Sequence, residues 1–202
     1  MKKKYLKYAL VLFICVTFVI WIIDYNRILT PDEALSLGEE KYLQFLWMVD
    51  GAFNDNEEYL VNGHSLSNDN RPFNCTFDKK NKTCLVKDFE SLFHKYFVNS
   101  LSVEQVYSDK LSFKHYEMQD DDIIFNANSI CGSNRMNLKQ NITVVEIERR
   151  KIKYLITYDN DEDSPNRFRE FKKEFVLKYE NRKWKVAKAY YHDSCRMDYN
   201  IE

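Results

Sequence analysis

Residues 171–191 read FKKEFVLKYENRKWKVAKAYY, two alternating runs separated by Glu180-Asn181-Arg182. Alternation at a period of two, broken by a short polar turn, predicts a tight antiparallel hairpin. Val176, Trp184, Val186 and Ala189 supply apolar positions, and Lys178, Lys183, Lys185 and Lys188 are expected to face solvent. The pattern recurs upstream, with candidate strands at 103–107, 111–118, 123–128, 142–148 and 152–158.

Before these strands the period changes to that of helices. Thr30-Pro31-Asp32-Glu33 places an N-cap, a proline at the first helical position and a carboxylate three residues after the cap, which is a capping box. The helix should run to about residue 50 and stop at Gly51, with Leu35, Tyr42, Phe45, Leu46, Met48 and Val49 as its apolar positions. A second helix, about 88–98, carries Phe89, Leu92, Phe93, Tyr96 and Phe97 at helical spacing, with Asp88 as its cap. Residues 54–73 read as loop, with a short strand at 59–61. Helices followed by an antiparallel meander make the class α+β.

The chain opens differently. Tyr8 to Ile23 reads YALVLFICVTFVIWII, without a charge, behind Lys2, Lys3, Lys4 and Lys7. With its flank this approaches the ~18–20 residues that cross a bilayer, and the lysines keep the N-terminus in the cytoplasm. The run ends Trp21-Ile22-Ile23-Asp24-Tyr25, with no small residues for cleavage. Bulky Phe13 and Ile14 precede Cys15, which argues against a lipoprotein cysteine. The expected layout is a cytoplasmic tip (1–7), a single-pass transmembrane anchor (8–23) and an exported domain (24–202), periplasmic or extracellular.

Four of the 30 basic residues precede Asp24, leaving 26 against 31 acidic residues and a net charge of −5 for 24–202. Nucleic acid, which needs a basic surface, is not the expected partner. Outside the anchor there are four cysteines, Cys75, Cys84, Cys131 and Cys195. In an oxidising compartment an even number suggests disulfides, with three connectivities open. Cys75 and Cys84 flank the turn-like TFDKKNKT, so a hairpin would set them opposite each other and leave Cys131 to pair with Cys195. That long closure would contribute roughly 3–5 kcal/mol in the chain-entropy model.

Catalytic and metal chemistry finds little support. Asp159 to Ser164 begins like a calcium loop with Glu170 at its twelfth position. Its sixth position is Ser164 rather than glycine, and Pro165 follows. A solvated acidic turn is the simpler reading, as it is for Asp120-Asp121-Asp122. His192, Asp193 and Cys195 lie too close along one strand to converge as a triad. His64, His94 and His115 are isolated. Asn74, Asn81 and Asn141 open glycosylation-type triplets, which matter only in a secretory-pathway organism. No metal, no cofactor and no catalytic residue is assigned. The expected partner-binding face joins Asp120, Asp121, Asp122, Asp159, Asp161 and Asp163 to Tyr154, Tyr158, Tyr190 and Tyr191, since tyrosine is favoured at recognition surfaces.

A lysine-led anchor followed by one small acidic exported domain resembles, in layout across the whole chain, the membrane-anchored immunity proteins of bacterial toxin systems, of the TipC-like type. That resemblance implies a protein that binds and occludes a secreted antibacterial toxin outside the cytoplasmic membrane, without enzymatic activity. Residues 175–186, FVLKYENRKWKV, look like the final hairpin of NTF2-like or cystatin-like domains. This second resemblance implies two helices packed on a curved antiparallel sheet, and the alternative function of an anchored assembly subunit in a secretion or envelope complex. An envelope hydrolase is a third reading, with less behind it.

Overall fold

The computed structural model describes residues 2–49, 61–65, 71–73, 76–78, 80–81, 83–106, 116–126, 140–158, 172–193 and 197–201. The class is α+β, as the order of patterns predicts. The helices are α1 (Lys2–Asn26), α2 (Pro31–Val49), α3 (Phe89–Tyr96) and α4 (Val103–Val106). The strands are β1 (Thr76–Asp78), β2 (Thr83–Val86), β3 (Tyr116–Gln119), β4 (Asp122–Asn126), β5 (Gln140–Glu148), β6 (Lys151–Tyr158), β7 (Lys172–Glu180), β8 (Lys183–Asp193) and β9 (Met197–Ile201).

The strands form two sheets where one was expected. One has the order β1-β2-β4-β3, and the other is the meander β5-β6-β7-β8-β9. All ladders are antiparallel. Two register shifts, between Val144 and Glu146 and between Val176 and Leu177, mark irregularities in the meander, of the kind that bends strands and raises twist.

The helix α2 begins as the sequence predicts. The Glu33 amide donates to Thr30 Oγ1 at 3.3 Å, and the Thr30 amide donates to Glu33 Oε2 at 3.0 Å. The Thr30 amide, with the hydroxyl and Arg27 adding to it, holds the Glu33 carboxyl below its usual value. A second capping box went unread. The Ser102 amide donates to Gln105 Oε1 at 2.8 Å and the Gln105 amide to Ser102 Oγ at 3.2 Å. These reciprocal caps explain why 103–106 is a helical turn and not the expected strand. Asp88 is not the side-chain cap expected for α3. It sits at φ 51° and makes no side-chain cap bond. Its amide instead donates to Asp122 Oδ1 at 3.0 Å, and the Phe89 amide donates to the Asp121 carbonyl at 2.7 Å. The β3–β4 turn therefore supplies the acceptors for the start of α3. Of the expected strand 59–61 only Val61 is described, in single bridges, and Gly51 lies outside the described residues.

One continuous core joins the parts. Tyr42 meets Phe175 edge-on at 5.1 Å, and Phe45 lies 6.3 Å from Phe97. Phe93 stacks on Phe97 at 4.3 Å, which carries the contact from α3 to the segment beside β8. Phe73, Phe89 and Phe125 close the core under the four-stranded sheet.

The seam between α2 and the meander is tight. The Tyr154 hydroxyl donates to the Ala34 carbonyl at 2.7 Å, and the residue is 1% exposed. A Cβ added to Gly38 would lie 2.8 Å from Tyr154 Cζ and closer still to Cε1. Glycine is needed here for close approach, so that the ring can lie on the helix backbone.

The expected anchor region forms α1, 25 residues long. Leu10, Val11, Leu12, Phe13 and Ile14 on it are all exposed. Among the described residues no helix is long and apolar enough to cross a membrane.

Candidate functional site

Among the described residues, Tyr154 and Asp122 depart from the partner-binding face that the sequence suggested. Tyr154 belongs to the core, because its alternation with Ile152 and Ile156 turns it inward. Burial pushes its hydroxyl above the usual tyrosine value. Asp120 and Asp121 are exposed at the β3–β4 turn, but this turn is on the four-stranded sheet. Asp122 is half-buried and is occupied with the Asp88 amide, so it is part of the α3 joint and not a free recognition charge. Tyr158, Tyr190 and Tyr191 are on β6 and β8 of the other sheet, and their side chains lie outside the description. Asp159, Asp161 and Asp163, with the rest of the calcium-like loop, lie outside the described residues.

The cysteines are settled in part. Cys84 is fully buried and disulfide-bonded. Cys75, Cys131 and Cys195 lie outside the described residues. Across the β1–β2 ladder Cys84 faces Phe77, not Cys75 as the hairpin reading supposed. Among the described residues no three His, Cys, Asp or Glu side chains converge as a metal site would require.

A second region, missed in the sequence, clamps α2 to the edge of the meander. Val61 to His64 forms a two-residue hairpin, with Asn62 at φ 49° and Gly63 at φ 81°, the turn that Asn-Gly favours. Asn62 Nδ2 donates to Glu39 Oε1 at 2.7 Å and to the Ile142 carbonyl at 3.0 Å, while its Oδ1 accepts from the Ile142 amide at 2.9 Å. The carboxamide thus stands in for a peptide group of a further strand beside β5. His64 Nδ1 lies 3.4 Å from Glu39 Oε2, so this histidine is not isolated. The dipeptide Asn62-Gly63 was the signal that could have revealed the turn.

The accessible chemistry of the meander is on its outward face. Inward positions such as Ile152, Tyr154, Phe175 and Leu177 are buried. Outward positions carry an array of lysine and glutamate. Glu146 pairs with Lys153 across strands, lowering the carboxyl and raising the amine, each chiefly through their hydrogen bond. Lys188 Nζ lies 3.4 Å from Glu174 Oε2, and Lys151 Nζ lies 3.7 Å from Glu148 Oε1. Val176, opposite Lys153 and Lys188, is 5% exposed, as expected where lysine stems lie along apolar surface.

Lys185 departs from expectation. Predicted to face solvent, it is 3% exposed, and its Nζ donates to Asn99 Oδ1 at 3.1 Å. The reason is the segment after α3. The Val98 amide donates to the Val186 carbonyl at 3.0 Å, and the Asn99 amide donates to Glu180 Oε2 at 3.1 Å. That segment folds over the end of β8.

No family model and no curated protein matches the chain. The reading of function therefore rests on the residues alone.

Proposed function

We propose that this chain is a membrane-tethered binding module, and in its most specific form an immunity protein that occludes a secreted toxin outside the cytoplasmic membrane. The observation that carries the proposal is α1, a lysine-led helix whose described apolar side chains are exposed. Exposed apolar side chains in such number are stable in water only if something apolar covers them, and a bilayer is the cover that fits a lysine-led, charge-free run. Behind it the linker is short and held. Arg27 pairs with Glu33 of the α2 capping box, which leaves the folded domain close to the end of α1. A disulfide at Cys84 suits a domain exported to an oxidising compartment. Binding, not catalysis, is the proposed activity, with the exposed β3–β4 turn and the outward face of the meander as surfaces for a partner.

The rival, an anchored assembly subunit, draws support from one feature. The helices α2 and α3 pack against the antiparallel meander, in partial accord with the two helices on one curved sheet that the NTF2-like or cystatin-like resemblance implied. The test is the partner itself. The full chain is produced in cells that export the product of a neighbouring toxin gene, and growth and co-purification are followed. Protection with a co-purifying pair supports the immunity reading. A chain that co-purifies with secretion-machine subunits and protects against nothing contradicts it.

A further inference from the structure

We propose that Asn62-Gly63 is a self-modification site. When the clamp between α2 and β5 opens, the Gly63 amide nitrogen displaces ammonia from the Asn62 carboxamide, and the product cannot rebuild the clamp.

The sequence contains a single Asn-Gly pair. Glycine after asparagine favours cyclisation, because no side chain shields the amide nitrogen that attacks. Here the glycine is exposed at φ 81°, and a Cβ placed on it would meet nothing within 4 Å. Water and hydroxide therefore have access to it. In the closed hairpin the Val61 amide donates to the His64 carbonyl and the His64 amide to the Val61 carbonyl, both at 2.9 Å. The Asn62 carboxamide is committed to β5 and α2 through three bonds of 2.7, 3.0 and 2.9 Å. Attack needs the carboxamide carbon to swing onto the Gly63 nitrogen, so these bonds must break first. Opening of the clamp thus gates ring closure.

The Gly63 nitrogen gives its proton to hydroxide and bonds to Asn62 Cγ. The Cγ–Nδ2 bond breaks, and Nδ2 takes a proton from water and leaves as ammonia, which regenerates the hydroxide. The five-membered succinimide then takes up one water. Hydrolysis at Cγ leaves an aspartyl residue, and hydrolysis at the Asn62 backbone carbonyl leaves an isoaspartyl one.

Neither product fits the clamp. Asn62 spends both Nδ2 hydrogens, on Glu39 Oε1 and on the Ile142 carbonyl, while Oδ1 accepts from the Ile142 amide. A carboxylate only accepts. It can keep the Ile142 amide, but it loses the other two bonds. It also turns an acceptor toward the carbonyl of Ile142, a residue 1% exposed, and sets a second negative charge beside the little-exposed Glu39 side chain. Unsatisfied and like-charged groups under such cover are unfavourable. The isoaspartyl product adds a methylene to a two-residue turn, whose length fixes the register. Glu39 follows Gly38, the residue against which Tyr154 packs. Loss of the clamp therefore loosens α2 beside its seam with the meander, and the change is one-way.

The test incubates the full chain in detergent micelles, and a synthetic peptide of residues 58–67, in the same mildly alkaline buffer made with heavy-oxygen water. Peptide mapping reads the labelled aspartyl and isoaspartyl products at Asn62. The folded wild type should convert at least about 10-fold more slowly than the peptide, because only the opened population reacts. Glu39→Ala, with its fold checked by circular dichroism, should convert about 5-fold faster than wild type, since one bond to a charged acceptor is gone. The Asn62 and His64 amides donate to the Gln140 and Val61 carbonyls. Their hydrogen exchange should be about 10-fold faster in Asn62→Asp and in the aged wild-type chain than in the fresh one. Folded wild type converting at the rate of the peptide overturns the gate. So does a folded Glu39→Ala that converts no faster than wild type, or the absence of conversion in both proteins while the peptide is consumed. Aspartyl product without isoaspartyl contradicts attack by Gly63. Unchanged exchange at the two amides contradicts the one-way loss of the clamp.

Discussion

The two faces of the meander are governed by different physics. Its inner face meets α2 through Gly38 and Tyr154, where a ring lies on helix backbone and one hydroxyl finds one carbonyl. Its outer face carries lysines opposite lysines and an arginine at positive φ. The inner face tolerates little change in volume because close packing leaves nowhere for an extra carbon. The outer face tolerates charge repulsion and strain because solvent screens the first and a turn absorbs the second. Sequence selects for shape on one side and for charge on the other.

Gly38→Ala should break the inner face most visibly. Alanine gains up to about 1 kcal/mol in helix propensity, but the added carbon meets a buried ring and not a flexible tip. Overpacking costs typically about 1–3 kcal/mol, and here it should win. Denaturant unfolding should show a net loss of about 1–2 kcal/mol. A stabilised Gly38→Ala protein would mean that the seam is looser than described.

Tyr154→Phe keeps the ring and removes the bond to Ala34. A loss of about 1 kcal/mol is expected near neutral pH. The pH dependence sharpens this. The native hydroxyl is held above the ordinary tyrosine value by burial. Its contribution is therefore complete below that value and is lost as pH rises through the raised native value, because the unfolded chain releases the proton first. Wild-type stability should fall more steeply above about pH 10 than that of Tyr154→Phe. Parallel alkaline profiles would contradict a buried Tyr154.

The outer face should respond in the opposite direction. Arg182→Gly relieves a left-handed residue and should stabilise the domain by up to about 1 kcal/mol, seen as a small rise in thermal midpoint. Destabilisation would show that Arg182 makes native contacts worth more than its strain.

How far the sequence alone discloses this molecule follows the range of each signal. The four strands of 142–191 lie within a few residues of their expected bounds, because alternation is local and strong. The capping box at Thr30 located α2 for the same reason. The division into two sheets could not be read, since pairing β2 with β4 across 37 or more residues (Val86 to Ile123) is a tertiary choice. The last strand, β9, was missed because Asp198 and Asn200 are poor strand formers. Tyr154 was legible in hindsight, as Ile152 and Ile156 fix its face. Lys185 was not legible, because its cover is Asn99, 86 residues away. Asp122 departed from the expected acidic face for a related reason. Charges adjacent in sequence looked like one surface, yet the fold gave Asp122 a structural task and put the tyrosines on another sheet.

Everything proposed for function depends on which side of a membrane the folded domain occupies. Alkaline phosphatase, active only after export, fused after Glu202 in the full chain tests this most directly. The account predicts an active, membrane-retained fusion, with activity lost when residues 8–23 are deleted. A stable fusion that remains inactive at normal expression would contradict the tethered, exported domain.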